Sequence, residues 1–218
     1  DFVASDERWL VPLPDDISDA EGVLLAGDGL GVPWGASVRG GVKAGDTTCV
    51  LGCGAVGLGN LLVHRYLGAR VIAVDLNPKR LKLAKKLGAW KTINPEEKDL
   101  AEEMRKLTDG LGPDVCVEAC GKQPTLDAAI AATKPGGTVV QCGHGPQTMN
   151  PQQLIARRNL RVVGNWICHF CEIPDMITAI RRGLRARDLV TGIYPLEEAQ
   201  TAYDRFIAGD EAKVVLTR

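Results

Sequence analysis

Residues 52–57 read Gly-Cys-Gly-Ala-Val-Gly. Glycines at the first, third and sixth places of such a run suit one task, which is to bring bare backbone against a diphosphate. Gly52 would turn the chain off a strand. Gly54 would admit the phosphates to the main chain, with Ala55 and Val56 opening a helix behind it. Gly57 would let that helix pack close to the strand. The first N–H groups of a helix have no partner inside it and carry the positive end of its dipole, so they attract phosphate. Glycines also gather in ordinary turns, and the run alone decides little.

Asp75 adds the second piece. It closes the apolar run 70–75, about 20 residues beyond the loop. A carboxylate there can accept hydrogen bonds from both ribose hydroxyls of an adenosine. It would repel a 2′-phosphate, which favours NAD(H) over NADP(H). Asn77 and Pro78 follow, so no arginine stands directly beside Asp75 to neutralise such a phosphate. The competing reading is a tight turn followed by a surface aspartate. Strand, loop, helix and acid in register favour the nucleotide.

These residues need a frame, and the chain alternates in a way that supplies one. Short apolar, β-prone runs at 47–52, 70–75, 91–94, 114–120, 138–143 and 160–166 predict six strands. Between them, 55–68 places Val56, Leu62, Val63 and Tyr66 at helical spacing. Pro78 sits at a first helical position and Gly88 beyond a last turn. The segment 96–110 is acidic first and basic later, as a helix dipole favours. Helices are also predicted at 124–137, including its stop, and at 151–159. Runs apolar on both faces suit a parallel sheet covered on both sides. The expected fold is α/β: a doubly wound, parallel, six-stranded Rossmann sheet over 30–166.

On either side the pattern changes. Residues 1–16 form an extended lead-in. Ser18 and Glu21 make a capping box that starts a helix near Asp19, and a second helix is expected at 33–39. After Trp166 come a loop and a helix, then strand, helix and strand. With 1–29, this tail should form something outside the doubly wound sheet.

Composition narrows the classes. The 218 residues are 45% hydrophobic and 24% charged, with a net charge of -1. No basic excess invites nucleic acid. No apolar stretch approaches the ~18–20 residues of a membrane span. The acidic, proline-broken start is not a signal peptide, so a cytoplasmic location is expected. The seven cysteines are read as reduced thiols, because a chain with this much core needs no disulfide staples.

The run VKAGDTTCVLGCGAVGLGNLLVHRYLGARVIAVDLNPKRLKLAKKLGA resembles the medium-chain dehydrogenase/reductase family, the zinc-type alcohol dehydrogenases. INPEE at 93–97, DVCVEACG at 114–121, TKPGG at 133–137, GNW at 164–166 and AKVVL at 212–216 extend the likeness over nearly the whole chain. The resemblance implies a coenzyme domain at 30–166, with 1–29 and 167–218 as remnants of a catalytic domain. It implies NAD as cofactor and a small alcohol, aldehyde or ketone as substrate. It also implies that the family's amino-terminal, GroES-like half lies outside this sequence, and with it most zinc ligands. The ligand position just before the coenzyme domain matches Asp28. One carboxylate cannot hold a catalytic zinc, which takes three protein ligands, so Asp28 would act only in a full-length context; a turn or cap aspartate is the alternative. The coenzyme side alone is not expected to turn over.

By the same resemblance, Cys120 and the Gly143-His144 turn, at two strand ends, should approach the cofactor. Arg80 should lie near the adenosine ribose and Lys213 near the pyrophosphate. For both basic residues a solvated surface charge is the alternative. His64 is expected on the surface of its helix. Cys168-His169-Phe170-Cys171 lacks the second pair that a zinc site wants and is read as coincidence. Three functions follow: the NAD-binding portion of an alcohol or polyol dehydrogenase, a non-catalytic NAD-binding module, or a self-association module. In the last, copies of the chain pair through the strand at 160–166, whose open edge would otherwise be a liability.

Overall fold

Glu21 reaches back to accept the Ser18 N–H at 3.1 Å, and helix α1 (Asp19–Leu25) starts where that capping box sets it. The computed structural model describes residues 4–155 and 158–218. Helix α2 (Gly31–Gly40) follows α1 and stops at Gly41, whose φ of 70° only glycine adopts readily. The alternating region then runs β1 (Thr47–Leu51), α3 (Ala55–Tyr66), β2 (Arg70–Val74), α4 (Pro78–Lys86), β3 (Lys91–Ile93) and α5 (Leu100–Leu107). It continues with β4 (Val115–Glu118), α6 (Gln123–Ala132), β5 (Thr138–Gln141), α7 (Pro151–Ile155) and β6 (Arg161–Gly164).

These six strands are parallel and stand in the order β3-β2-β1-β4-β5-β6. That is the doubly wound order expected, and it fixes where a ligand can sit. The chain leaves β1 to build β2 on one side, and later returns to build β4 on the other. Helices on the two halves lie on opposite faces, so a crevice opens beyond the carboxyl ends of β1 and β4.

Side chains alternate across the sheet into two cores. Val50, Val71, Ala73, Val115, Val117 and Val140 face α2 and α3. Cys49, Leu51, Ile72, Val74, Cys116 and Val139 face α5 and α6, against Met104, Leu126 and Ile130. Full burial of a valine- or leucine-sized side chain is worth about 1.5–3 kcal/mol. The strand ends beneath the crevice are therefore held by the sheet interior rather than by the loops above it.

Two details differ from the sequence reading. The helix expected over 96–110 is α5, which starts later. Asn94 accepts the Glu96 N–H at 3.0 Å and makes a turn, and Asp99 caps the helix by accepting the Glu102 N–H at 2.7 Å. Glutamates and lysines are good helix formers, but these local caps outcompete propensity. His64, expected on the surface, is fully buried. It lies on α3, which packs on β1 and β2 beside α2, and its Nδ1 is 2.9 Å from the Thr48 hydroxyl of β1. Part of the helix expected at 151–159, residues 156–157, lies outside the described residues.

After β6 come α8 (Ile173–Arg181), β7 (Val190–Pro195), α9 (Ala199–Ile207) and β8 (Lys213–Thr217). β7 and β8 form a separate parallel pair. This tail and α1 share the α2–α3 side of the core: Leu24, Leu25, Met176, Leu184 and Leu189 are buried in the same cluster as Val50 and Val71. Among the described residues, no helix is long and apolar enough to cross a membrane.

Candidate functional site

The glycine loop divides its work among its three glycines. Gly52 has φ 97°, and its backbone turns off β1 in a conformation that a side chain would strain. A Cβ on Gly57 would lie 1.7 Å from the Gly52 carbonyl oxygen, so α3 sits against the strand end at a distance only glycine allows. A Cβ on Gly54, the cap of α3, would meet nothing within 4 Å. Open space above the middle glycine, at a helix start beginning with Ala55 and Val56, is where a diphosphate can approach.

Asp75 sits just past β2, half-buried. One carboxylate oxygen accepts the Cys53 N–H at 2.7 Å and the other accepts the Asn77 N–H at 2.8 Å. Each oxygen keeps a free lone pair for a hydroxyl. Asn77 in turn caps α4 by accepting the Lys79 N–H at 2.9 Å. Gly52, Gly54, Asp75, Arg80 and Cys120 line one cleft of about 650 Å³ at the carboxyl ends of β1, β2 and β4. Its remaining wall is mostly apolar, with Leu76, Pro95, Leu100, Pro124 and Ala128, and Lys122 adds a second cation. A slot with apolar walls, one carboxylate and two cations fits a nucleotide: a flat base, a diol and a diphosphate.

The sequence reading missed Lys122, Pro95 and Leu100. Lys122 follows the β4 turn, and only the adjacency of β4 and β1 brings it to the glycine loop. Gly143 and His144 line a second pocket, of about 400 Å³, with Asn165 and Trp166 at the ends of β5 and β6. The His144 and Trp166 rings meet edge-on, with centroids 4.4 Å apart. Lys213, at the start of β8 opposite Val190, lines neither pocket.

The thiols around the cleft are poor nucleophiles. Burial pushes Cys53 far above the ordinary thiol value, and the Asp75 charge adds to this. Cys120 is raised to about 11 by burial, then by the charges of Glu118 and Asp75. All seven cysteines are free. Cys168 is buried, with its thiol 3.7 Å from the Leu25 carbonyl, whereas Cys171 is exposed.

Asp28 is exposed in the turn between α1 and α2. Among the described residues, no three His, Cys, Asp or Glu side chains gather to hold a metal ion. The residues present do not fit a catalytic zinc.

Comparison with known proteins agrees with this fold. A family model described as zinc-binding dehydrogenase matches residues 55–182. Sorbitol dehydrogenase 1 of Saccharomyces cerevisiae is 33% identical over 226 residues, covering 99% of this chain and 63% of that protein. Among solved structures, 2R,3R-butanediol dehydrogenase from Bacillus subtilis superposes with a TM-score of 0.87 at 27% identity, covering 98% of this chain and 62% of the other. Alcohol dehydrogenase TADH from Thermus sp. ATN1 superposes at 0.83 and 30% identity, covering 94% and 61%. The chain thus spans about three fifths of the length of the relatives it matches.

Proposed function

The chain belongs to the zinc-binding dehydrogenase family, and on that footing we propose that it is the NAD(H)-binding portion of a zinc-type alcohol or polyol dehydrogenase. The observation that carries the proposal is the 650 Å³ cleft in which Asp75 and the glycine loop share one hydrogen bond. Bound there, the nicotinamide cofactor would accept or donate a hydride, and the partner substrate would be a small alcohol or its aldehyde or ketone.

The chain's own residues would do the binding. Asp75 would take the adenosine ribose diol and turn away a 2′-phosphate. Gly54 and the α3 N-terminus would take the diphosphate, with Arg80 and Lys122 offsetting its charge. Leu76, Pro95 and Leu100 would shield the base from water. In the doubly wound order the other half of a dinucleotide would cross the switch point toward β4 and β5, and the nicotinamide would then lie beside Cys120, Gly143 and His144. The segments 1–29 and 167–218 are read as parts of a catalytic domain flanking the coenzyme domain at 30–166. A cytoplasmic setting belongs to the same reading.

The test is an NADH titration followed by fluorescence, with NADPH for comparison and Asp75→Ala as the variant. NADH should bind and NADPH should not, and Asp75→Ala should lose most of the affinity. No binding by the parent chain, or binding indifferent to Asp75, overturns the proposal.

A second reading has one specific observation behind it. β6 pairs with β5 alone, leaving its outer edge open among the described residues. Pairing of two copies through that edge would cover it. Sedimentation equilibrium decides: the mass of a single chain at micromolar concentration removes this reading and leaves the first untouched.

A further inference from the structure

Glu118 ends β4 and is fully buried, yet it is a carboxylate and no lysine or arginine pairs with it among the described residues. Backbone and amide donors surround it instead. One oxygen accepts the Cys120 N–H at 2.8 Å, the Gly121 N–H at 2.9 Å and the Thr125 hydroxyl at 2.7 Å. The other accepts from Gln147 Nε2 at 3.3 Å. Gln147 also donates to the Lys122 carbonyl at 3.0 Å and accepts from Gln141 Nε2 at 2.6 Å. Through its main chain, Glu118 takes the N–H groups of Cys142 and Gly143, both at 2.9 Å.

These bonds join two loops that the sequence keeps apart, 119–122 after β4 and 142–147 after β5. The join is tight. A Cβ on Gly143 would lie 2.1 Å from the Gly121 nitrogen and 2.5 Å from a Glu118 carboxylate oxygen, and one on Gly121 would lie 2.1 Å from the His144 carbonyl oxygen. Cys120 and Lys122 face the 650 Å³ cleft, while Gly143 and His144 face the 400 Å³ pocket. A carboxylate able only to accept is suited to fix so many convergent N–H groups.

We propose that Glu118 is a positioning residue for the nicotinamide half of the cofactor, clamping the two loops that frame it, with Asp75, which would take the adenosine ribose, outside the clamp. The proposal rests on the cofactor reading above. Asp75, Leu76 and Arg80 belong to other elements and, among the described residues, none of their hydrogen bonds goes to this cluster.

The experiment compares NADH with AMP, which carries the adenosine half only, by calorimetry on the 218-residue chain and two variants, with thermal unfolding followed in parallel. Glu118→Gln puts an amide donor against the donors that the carboxylate accepts. It should weaken NADH about tenfold, the loss of one charge-assisted hydrogen bond, and weaken AMP by a clearly smaller factor, because only one of the two clamped loops, 119–122, reaches the cleft that would take the adenosine. Gln147→Met cuts the link between the loops at a partly exposed site and should shift the NADH-to-AMP ratio the same way with the fold intact. If Glu118→Gln does not fold, Gln147→Met decides. NADH and AMP weakening by equal factors, or neither changing, overturns the inference and leaves the cofactor reading standing. A parent chain that binds AMP and not NADH, or neither, overturns both.

Discussion

The Asp75 carboxylate accepts the backbone N–H of Cys53 at 2.7 Å. The acid that would select the ribose therefore also holds the second residue of the glycine loop. Its other oxygen takes the Asn77 N–H at 2.8 Å, and Asn77 caps α4. One carboxylate thus ties the end of β2, the turn after β1 and the start of α4 into a single unit. On the proposed function, ribose recognition and phosphate recognition would be mechanically the same feature.

Asp75→Asn should therefore cost more than one ribose contact. The amide keeps one acceptor and turns a donor toward either the Cys53 or the Asn77 N–H. A hydrogen bond to a charged group is worth about 1.5–3 kcal/mol, so NADH affinity should fall about 10- to 100-fold. The urea midpoint should fall with it. Affinity lost with the midpoint unmoved would show that Asp75 reads the ribose without organising the loop.

Gly54→Ala and Gly57→Ala should separate binding from folding. The new methyl at 54 meets nothing within 4 Å, so the unfolding midpoint should hold while NADH binding falls at least about tenfold, a methyl now standing where the phosphates approach. At 57 the methyl would lie 1.7 Å from the Gly52 carbonyl oxygen, which is backbone and cannot swing aside. That overpacking should cost about 1–3 kcal/mol or more, and binding should go with it. Paired urea melts and NADH titrations check both, and similar melts for the two variants would refute the division of roles.

Much of this was legible because it is local. The Ser18–Glu21 box, Pro78 at the head of α4, the glycine spacing and the position of Asp75 are all set within a few residues or by strand-to-strand counting. The parallel, doubly wound sheet and its two apolar faces followed from the alternation. What stayed hidden depends on contacts made far along the chain. Lys122 reaches the glycine loop only because β4 lies beside β1. Pro95 and Leu100 form a wall only because β3 is β2's neighbour. Glu118 reads as one charged residue at a strand end until β5 brings Gln147 over it. His64 differs from the expectation because a histidine between polar and apolar neighbours does not say that its side of the helix will turn toward Thr48 of β1.

Cys120 should react slowly despite its exposure. Burial of its sulfur raises the thiol to about 11, with the charges of Glu118 and Asp75 adding to this. Well below that value the thiolate fraction, and with it alkylation, grows about tenfold per pH unit. Iodoacetamide labelling mapped by mass spectrometry should therefore speed about 100-fold at Cys120 between pH 8 and pH 10. NADH should protect it, because Cys120 lines the same cleft as Gly54 and Asp75. Labelling at pH 8 that is fast and indifferent to NADH would place the thiol outside the bound cofactor's reach.

His64 should make stability fall in mild acid. The imidazole is fully buried, and burial pushes its pKa down from 6.5 to about 3. Its Nδ1 faces the Thr48 hydroxyl at 2.9 Å, and among the described residues its Nε2 has no hydrogen-bond partner, so no acceptor there stabilises a second proton. Above pH 6.5 the ring is neutral both folded and unfolded and contributes no pH dependence. Below that, the unfolded chain binds a proton and the folded chain does not. The unfolded state then holds more protons, so folding stability drops by up to about 1.4 kcal/mol per pH unit until the pH nears 3. Urea melts at pH 7, 6 and 5 should show the midpoint falling. His64→Leu loses the Thr48 contact equally at every pH, so its effect on the slope is the informative quantity. The slope between pH 6 and 5 should flatten by about 1 kcal/mol per unit. Parallel curves for the parent chain and His64→Leu would mean that the buried ring is not what titrates.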